Sequence, residues 1–184
     1  YFQAYFNRGI AKLNNGQNPE AIQDFDKAIE LNPNYADAYN NRGNAKSNLL
    51  LYPEAIQDYD KAIGIRKDNA MAYYNRGNTK LNNGQNPEAI QDFDKAIELN
   101  SKFTEAYNNR GNAKSNLLLY TQAIQDYDKA IELNPFFIEA YFNRGNTKLN
   151  NSQNPEAIQD YDKAIELNPN YADAYNNRGN AKSN

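Results

Sequence analysis

Apolar and small residues recur three and four positions apart in two kinds of segment that alternate along the chain, the spacing of one buried helix face. One such segment runs from Ala36 to Leu49 and the next from Pro53 to Ile65. Two helices separated by so short a break predict a hairpin. Pro19, Pro53, Pro87 and Pro155 suit the opening of a second helix, where the missing N–H costs nothing. The Asn32–Pro33, Asn134–Pro135 and Asn168–Pro169 steps disfavour helix at each Asn and so end it. Small residues stand where the helices must cross closely: Gly9, Gly43 and Gly77 on first helices, and Ala21, Ala28, Ala55, Ala62, Ala89 and Ala96 on second ones.

The hairpin is itself repeated. Arg8, Arg42, Arg76, Arg110, Arg144 and Arg178 fall 34 residues apart, each followed by Gly. A longer period overlies this one, since KLNNGQNPEAIQDFDKAIELN at 12–32 returns unchanged at 80–100 while the intervening units carry SNLLLY. A fixed period in this range marks a solenoid, in which no unit buries its apolar face alone. The chain therefore reads as one all-α array of about eleven helices, with units at 2–35, 36–69, 70–103, 104–137 and 138–171 and a partial unit at 172–184.

Tyr39, Gly43, Tyr52, Ala55, Tyr59 and Ala62, with Pro33 one unit earlier, stand at the signature positions of the tetratricopeptide repeat (TPR), and the chain resembles that family along its whole length. Two departures are visible: Asn18, Asn86 and Asn154 replace the inter-helix aromatic, and Lys67 and Ser101 replace the proline. Some hairpins are accordingly expected to be looser. The resemblance implies a right-handed α-solenoid whose first helices line a concave groove for an extended peptide or partner helix, and it implies no catalysis.

On the first helices Asn41, Asn44 and Asn48 form one stripe, opposite Tyr39 and Gly43. The stripe returns as Asn75, Asn78 and Asn82, as Asn109, Asn112 and Asn116, as Asn143, Asn146 and Asn150, and in part as Asn7 and Asn14 and as Asn177. An Asn side chain offers an acceptor and two donor hydrogens, which suits a peptide backbone whatever its side chains. The pattern is similar to the asparagine ladder in the repeat region of the O-linked N-acetylglucosamine transferases. Against it, the chain is Asn-rich throughout, and copying by duplication multiplies one observation. Beside the stripe, Phe6 pairs with Leu13, Tyr74 with Leu81 and Phe142 with Leu149, seven residues apart. These pairs either face the groove as apolar pockets or pack against a neighbouring first helix.

Composition narrows the chemistry. Without Cys, His or Trp there is no disulfide framework, no Cys/His metal site and no histidine acid–base chemistry, so no catalytic residue, metal or cofactor is expected. A net charge of −3 lacks the basic surplus of a nucleic-acid binder, leaving a single-stranded RNA reader as a distant alternative. The longest apolar runs, such as Leu49 to Tyr52, are too short for a bilayer and no leader is seen, so a soluble chain is expected, with the cytoplasm as its default compartment. Tyr1 to Gln3 resemble an expression-tag remnant.

Chaperone-binding members of the family hold a terminal carboxylate with groove Lys and Arg. The corresponding neighbours here are Asp37, Asn40, Glu105, Asn108, Glu139 and Phe142, so that clamp is missing. The periodic arginines are expected to pair with Asp24, Asp58, Asp92, Asp126 and Asp160 of the second helices, Arg42 for example with Asp24 or Asp58. Tyr175, Gly179 and Ala181 repeat the packing pattern of inner units, which predicts self-association through the repeat ends as an alternative to peptide binding.

Overall fold

The computed structural model describes residues 1–183. They form eleven helices: α1 (Phe2–Asn14), α2 (Asn18–Leu31), α3 (Ala36–Asn48), α4 (Tyr52–Ile65), α5 (Ala70–Asn82), α6 (Asn86–Leu99), α7 (Thr104–Asn116), α8 (Tyr120–Leu133), α9 (Ile138–Asn150), α10 (Asn154–Leu167) and α11 (Ala172–Ser183). No strand occurs among the described residues. The chain divides into two compact units, Tyr1–Leu99 and Asn100–Asn184. The first holds three hairpins, α1/α2, α3/α4 and α5/α6. The second holds α7/α8, α9/α10 and the single helix α11 packed on α10. Within each unit every hairpin stacks on the next in chain order, which is the topology of an α-solenoid.

Each hairpin closes on the same three-part core. The second helix contributes two fully buried alanines and a ring between them, such as Ala55, Tyr59 and Ala62 in α4 or Ala89, Phe93 and Ala96 in α6. The ring lies directly on the glycine of the first helix. A Cβ built at Gly43 would fall 2.7 Å from Tyr59 Cε1, and one at Gly145 would fall 2.8 Å from Tyr161 Cε1. The helix axes approach closely because no side chain stands between them.

Helix ends follow the local chemistry. Pro19, Pro53 and Pro155 occupy first turns, where no donor is lost. Asn134 and Asn168 take φ −139° and ψ 94° before a proline. Arg66, with Lys67 after it, adopts nearly the same backbone at φ −133° and ψ 96° without the proline. In the odd hairpins the Asn that replaces the inter-helix aromatic bonds the turn instead: Asn18 Nδ2 donates to the Gly16 carbonyl at 3.3 Å. That turn needs a left-handed residue, and Gly16 and Gly84 supply it at φ 74° and 76°. In the even hairpins Leu50 and Leu118 take the same conformation at φ 60° and 61°. Both leucines stay 69% exposed.

Candidate functional site

The periodic arginines are structural. Arg42 Nη2 meets Asp58 Oδ1 at 2.5 Å, and Lys46, one turn further on, meets Asp58 Oδ2 at 2.7 Å. Arg76 with Lys80 and Arg144 with Lys148 repeat the arrangement on Asp92 and Asp160. The Asp is buried and receives two cations, which meets the condition for keeping a carboxylate out of water. Four of the arginines also reach back to the preceding second helix: Arg42 to Asp26, Arg76 to Asp60, Arg144 to Asp128 and Arg178 to Asp162. The backward partner of Arg42 is thus Asp26 and not Asp24, because residues two apart on a helix point to different sides and Asp24 is already bound by Arg8 and Lys12. The hydrogen bond from Arg8 is the main reason the Asp24 carboxyl is held below its ordinary range, against the opposing effect of burial. Every arginine also lies over the tyrosine three residues before it, Arg42 Cζ being 5.4 Å from the Tyr39 ring centre.

With the charges committed to one another, the first helices present amides, and these are oriented. Tyr59 Oη donates to Asn44 Oδ1 at 2.8 Å. Tyr127 does the same to Asn112 at 2.8 Å and Tyr161 to Asn146 at 2.9 Å. A phenol hydrogen on Oδ1 fixes which end of the amide is which, so the Nδ2 of Asn44 and of Asn146 is left as an outward donor. Asn41, Asn75 and Asn143 are fixed the opposite way. Asn41 Nδ2 donates to the Asp37 carbonyl at 2.8 Å, Asn75 Nδ2 to Asn40 Oδ1 at 3.2 Å and Asn143 Nδ2 to Asn108 Oδ1 at 3.1 Å. Their Oδ1 atoms carry no bond among the described residues and remain acceptors. The rungs Asn41/Asn44 and Asn143/Asn146 therefore each offer one acceptor and one donor, whereas Asn109 Oδ1 already accepts from Asn108 at 2.9 Å and from Asn112 at 3.4 Å. Burial pushes the tyrosines that set this polarity well above the ordinary phenol value, Tyr161 to about 12.

Between α3 and α5 the stripe opens into a cavity of about 240 Å³ that contains Asn44, Ser47, Tyr59, Asn75, Asn78 and Thr79 in its wall. Its counterpart between α7 and α9, about 260 Å³, has Asn112, Ser115, Tyr127, Asn143, Asn146 and Thr147. The hydroxyls of Ser47 and Thr79 meet at 3.0 Å, as do those of Ser115 and Thr147. The sequence did not single out these hydroxyls, and it marked Tyr59 as a repeat-signature residue without its bond to Asn44. The alternation of Ala45 with Thr79 and of Ala113 with Thr147 at one repeat position was the available signal.

The remaining candidates divide. Asn7 is exposed, and Ile10 occupies the position that Asn44 fills one unit later, so the first hairpin carries half a rung. Asn109 accepts from Asn108 Nδ2 at 2.9 Å, and Asn177 Nδ2 donates to Asn146 Oδ1 at 2.8 Å, which ties these two into the second unit's stripe. Phe6 stacks on Tyr35 at 4.8 Å and on Phe25 at 5.9 Å, while Phe142 stacks on Tyr171 at 4.8 Å and on Tyr161 at 6.1 Å. Tyr74 lies 6.1 Å from Phe93. Leu13 and Leu149 join the same clusters, and Leu81 is half-buried. These aromatic and Leu pairs fill space between helices, and no pocket of the stripe contains them.

This architecture defines a class: a helical-hairpin repeat protein with a stripe of amides on its first helices. Profiles described as TPR repeat match residues 11–49, 52–84 and 150–183, and others described as tetratricopeptide repeat match 70–103, 104–137 and 126–159. The chain belongs to the tetratricopeptide-repeat family, whose repeats are generally non-catalytic protein-interaction modules. No curated protein matches it. Among solved structures it is similar to MamA, with 26% identity over 94% of each chain and a TM-score of 0.80. It is also similar to YrrB, described as a TPR protein with an unusual peptide-binding site, with 27% identity over 94% of this chain and 89% of that one and a TM-score of 0.77. MamA from Desulfovibrio magneticus, at 22% identity over 92% and 96% with a TM-score of 0.84, shares the fold. No helix is long and apolar enough to cross a membrane among the described residues.

Proposed function

We propose that the protein is an interaction module that holds an extended segment of a partner along its first helices and reads that segment's backbone. The observation that carries this reading is the opposed orientation of the Asn pairs. Asn75 and Asn143 present acceptors, which suit a peptide N–H, while Asn44 and Asn146 present donors, which suit a peptide carbonyl. Six further positions, Asn7, Asn41, Asn78, Asn109, Asn112 and Asn177, extend the stripe. The reading assigns no catalytic step and no cofactor, and the net charge of −3 favours a protein segment over RNA. The test is the double change Asn75→Ala and Asn143→Ala, assayed on an array of unrelated extended peptides well below the melting temperature. Each change also frees a buried partner, Asn40 or Asn108, and costs about 1 kcal/mol of stability. Binding should weaken by a similar factor for all peptides. Unchanged binding would reduce the stripe to ordinary surface.

A second reading, self-association, rests on α11. Gly179 has nothing within 4 Å of a built Cβ, whereas every other first-helix glycine lies under a ring, and Tyr175 is 43% exposed. Ala174 and Ala181 are covered. Another copy's surface seated on Gly179 would make the sedimentation coefficient rise with concentration; a coefficient that stays constant would remove this reading.

A further inference from the structure

Resting on the peptide-groove reading, we propose that each of the two cavities in the stripe receives a carboxamide side chain, Gln or Asn, of the bound segment. Every side chain in the wall of the α3/α5 cavity carries a polar group and none is charged, and the same is true between α7 and α9. The nearest cations, Arg42 and Lys46, are already spent on buried Asp58. A carboxylate entering there would shed water and meet no counter-charge, and an ammonium would fare no better. An aliphatic side chain would cover the Ser47–Thr79 hydroxyl pair and the open amide atoms without returning their hydrogen bonds.

What the walls do offer is mixed. Asn44 Nδ2 donates, Asn75 Oδ1 accepts, and Asn82, exposed at the mouth, does both. A carboxamide has one acceptor oxygen and two donor hydrogens and complements that set on every side. Size agrees, since about 240 Å³ is several times the roughly 30 Å³ share of one water and holds an amide head with its stem. The even and odd helices build the site together: Asn44 and Ser47 come from one, Asn75 and Thr79 from the next. That is why it appears once in each compact unit.

The experiment changes the guest and leaves the protein intact. A blocked peptide of alternating Ala and Thr, with one central guest of Gln, Met, Glu or Lys, is titrated into the 184-residue chain and followed through side-chain amide resonances. Gln should bind roughly tenfold more tightly than Glu or Lys and several-fold more tightly than Met. Chemical-shift changes at the Asn44, Asn82, Asn112 and Asn150 amides should accompany the Gln peptide. Equal affinity for all four guests, with binding still lost on Asn75→Ala and Asn143→Ala, would overturn the pocket and keep the backbone reading. No binding by any guest would overturn both. Displacement of the Gln peptide by a free hexosamine, with the guest series flat, would assign the cavities to carbohydrate and overturn the proposal.

Discussion

Two copies of the stretch RGNAKSN, at 110–116 and 178–184, place the same glycine in opposite surroundings, and the change Gly→Ala should have opposite signs at the two. At Gly111 the new Cβ would lie 2.7, 2.9 and 3.0 Å from Cε1, Cζ and Cδ1 of Tyr127, where carbon atoms prefer about 3.5–4.0 Å. The ring cannot retreat, because it is fully buried and its hydroxyl is held by Asn112 at 2.8 Å. Overpacking of this kind costs about 1–3 kcal/mol, and the better helix propensity of Ala returns at most about 1 kcal/mol. With the ring held in place the upper part of that cost, about 2–3 kcal/mol, applies, so the net loss at Gly111 is about 1–2 kcal/mol, or roughly 2–8 °C in melting temperature for a chain of this size. At Gly179 nothing lies within 4 Å, so only the propensity gain remains, and stability should hold or rise by up to about 1 kcal/mol. Urea titration of both variants, followed by circular dichroism at 222 nm, gives the comparison directly. If Gly111→Ala stabilises, or if both changes destabilise alike, close helix crossing over the ring is not what the glycine is for.

The arginine lattice makes a second contrast. Arg144→Met strands buried Asp160 with Lys148 alone and should cost about 2–4 kcal/mol, whereas Arg178→Met leaves no buried charge unpaired, loses the pair to half-exposed Asp162 and the contact with the Tyr175 ring, and should cost about 1 kcal/mol in the same urea assay. Stability should also fall at both pH extremes for identifiable reasons. The Asp24 carboxyl is depressed in the fold, so its contribution is present above its ordinary value near 4 and is lost as pH drops through the folded value; Asp24→Asn should flatten the acid limb of the melting profile. Tyr161 is raised to about 12, so its contribution is intact below about pH 10 and is lost as pH climbs toward 12; Tyr161→Phe should flatten the alkaline limb.

The 34-residue period and the helical spacing were enough to place the hairpins, because each hairpin is set by contacts close in sequence. Arg–Asp pairing was legible for a related reason: Arg42 and Asp58 keep the same separation in every unit. The second partner, Asp26, was not, since choosing it over Asp24 requires knowing how one hairpin is rotated on the next. The same rotation decides the polarity of the groove. Tyr59 reaches Asn44 across a hairpin, and Ser47 reaches Thr79 across two units, so neither bond follows from a spacing along one helix. Phe6 and Phe142 remained ambiguous in the sequence because a seven-residue spacing fixes a side of the helix and not what lies opposite; the entering aromatics Tyr35 and Tyr171 settle where they pack. The left-handed conformation of Leu50 and Leu118 was not legible, because leucine's steric cost there argues against it even though the two align with Gly16 and Gly84.

Backbone recognition is the centre of the account, and replacing single peptide bonds of a bound peptide by esters tests it most directly. An ester removes one N–H donor and weakens one carbonyl while leaving every side chain in place. Isothermal titration of an ester series should show affinity falling about three- to tenfold at those positions that face the acceptors of Asn75 and Asn143, in peptides of unrelated sequence alike. Affinities that match the all-amide peptide at every position would contradict it.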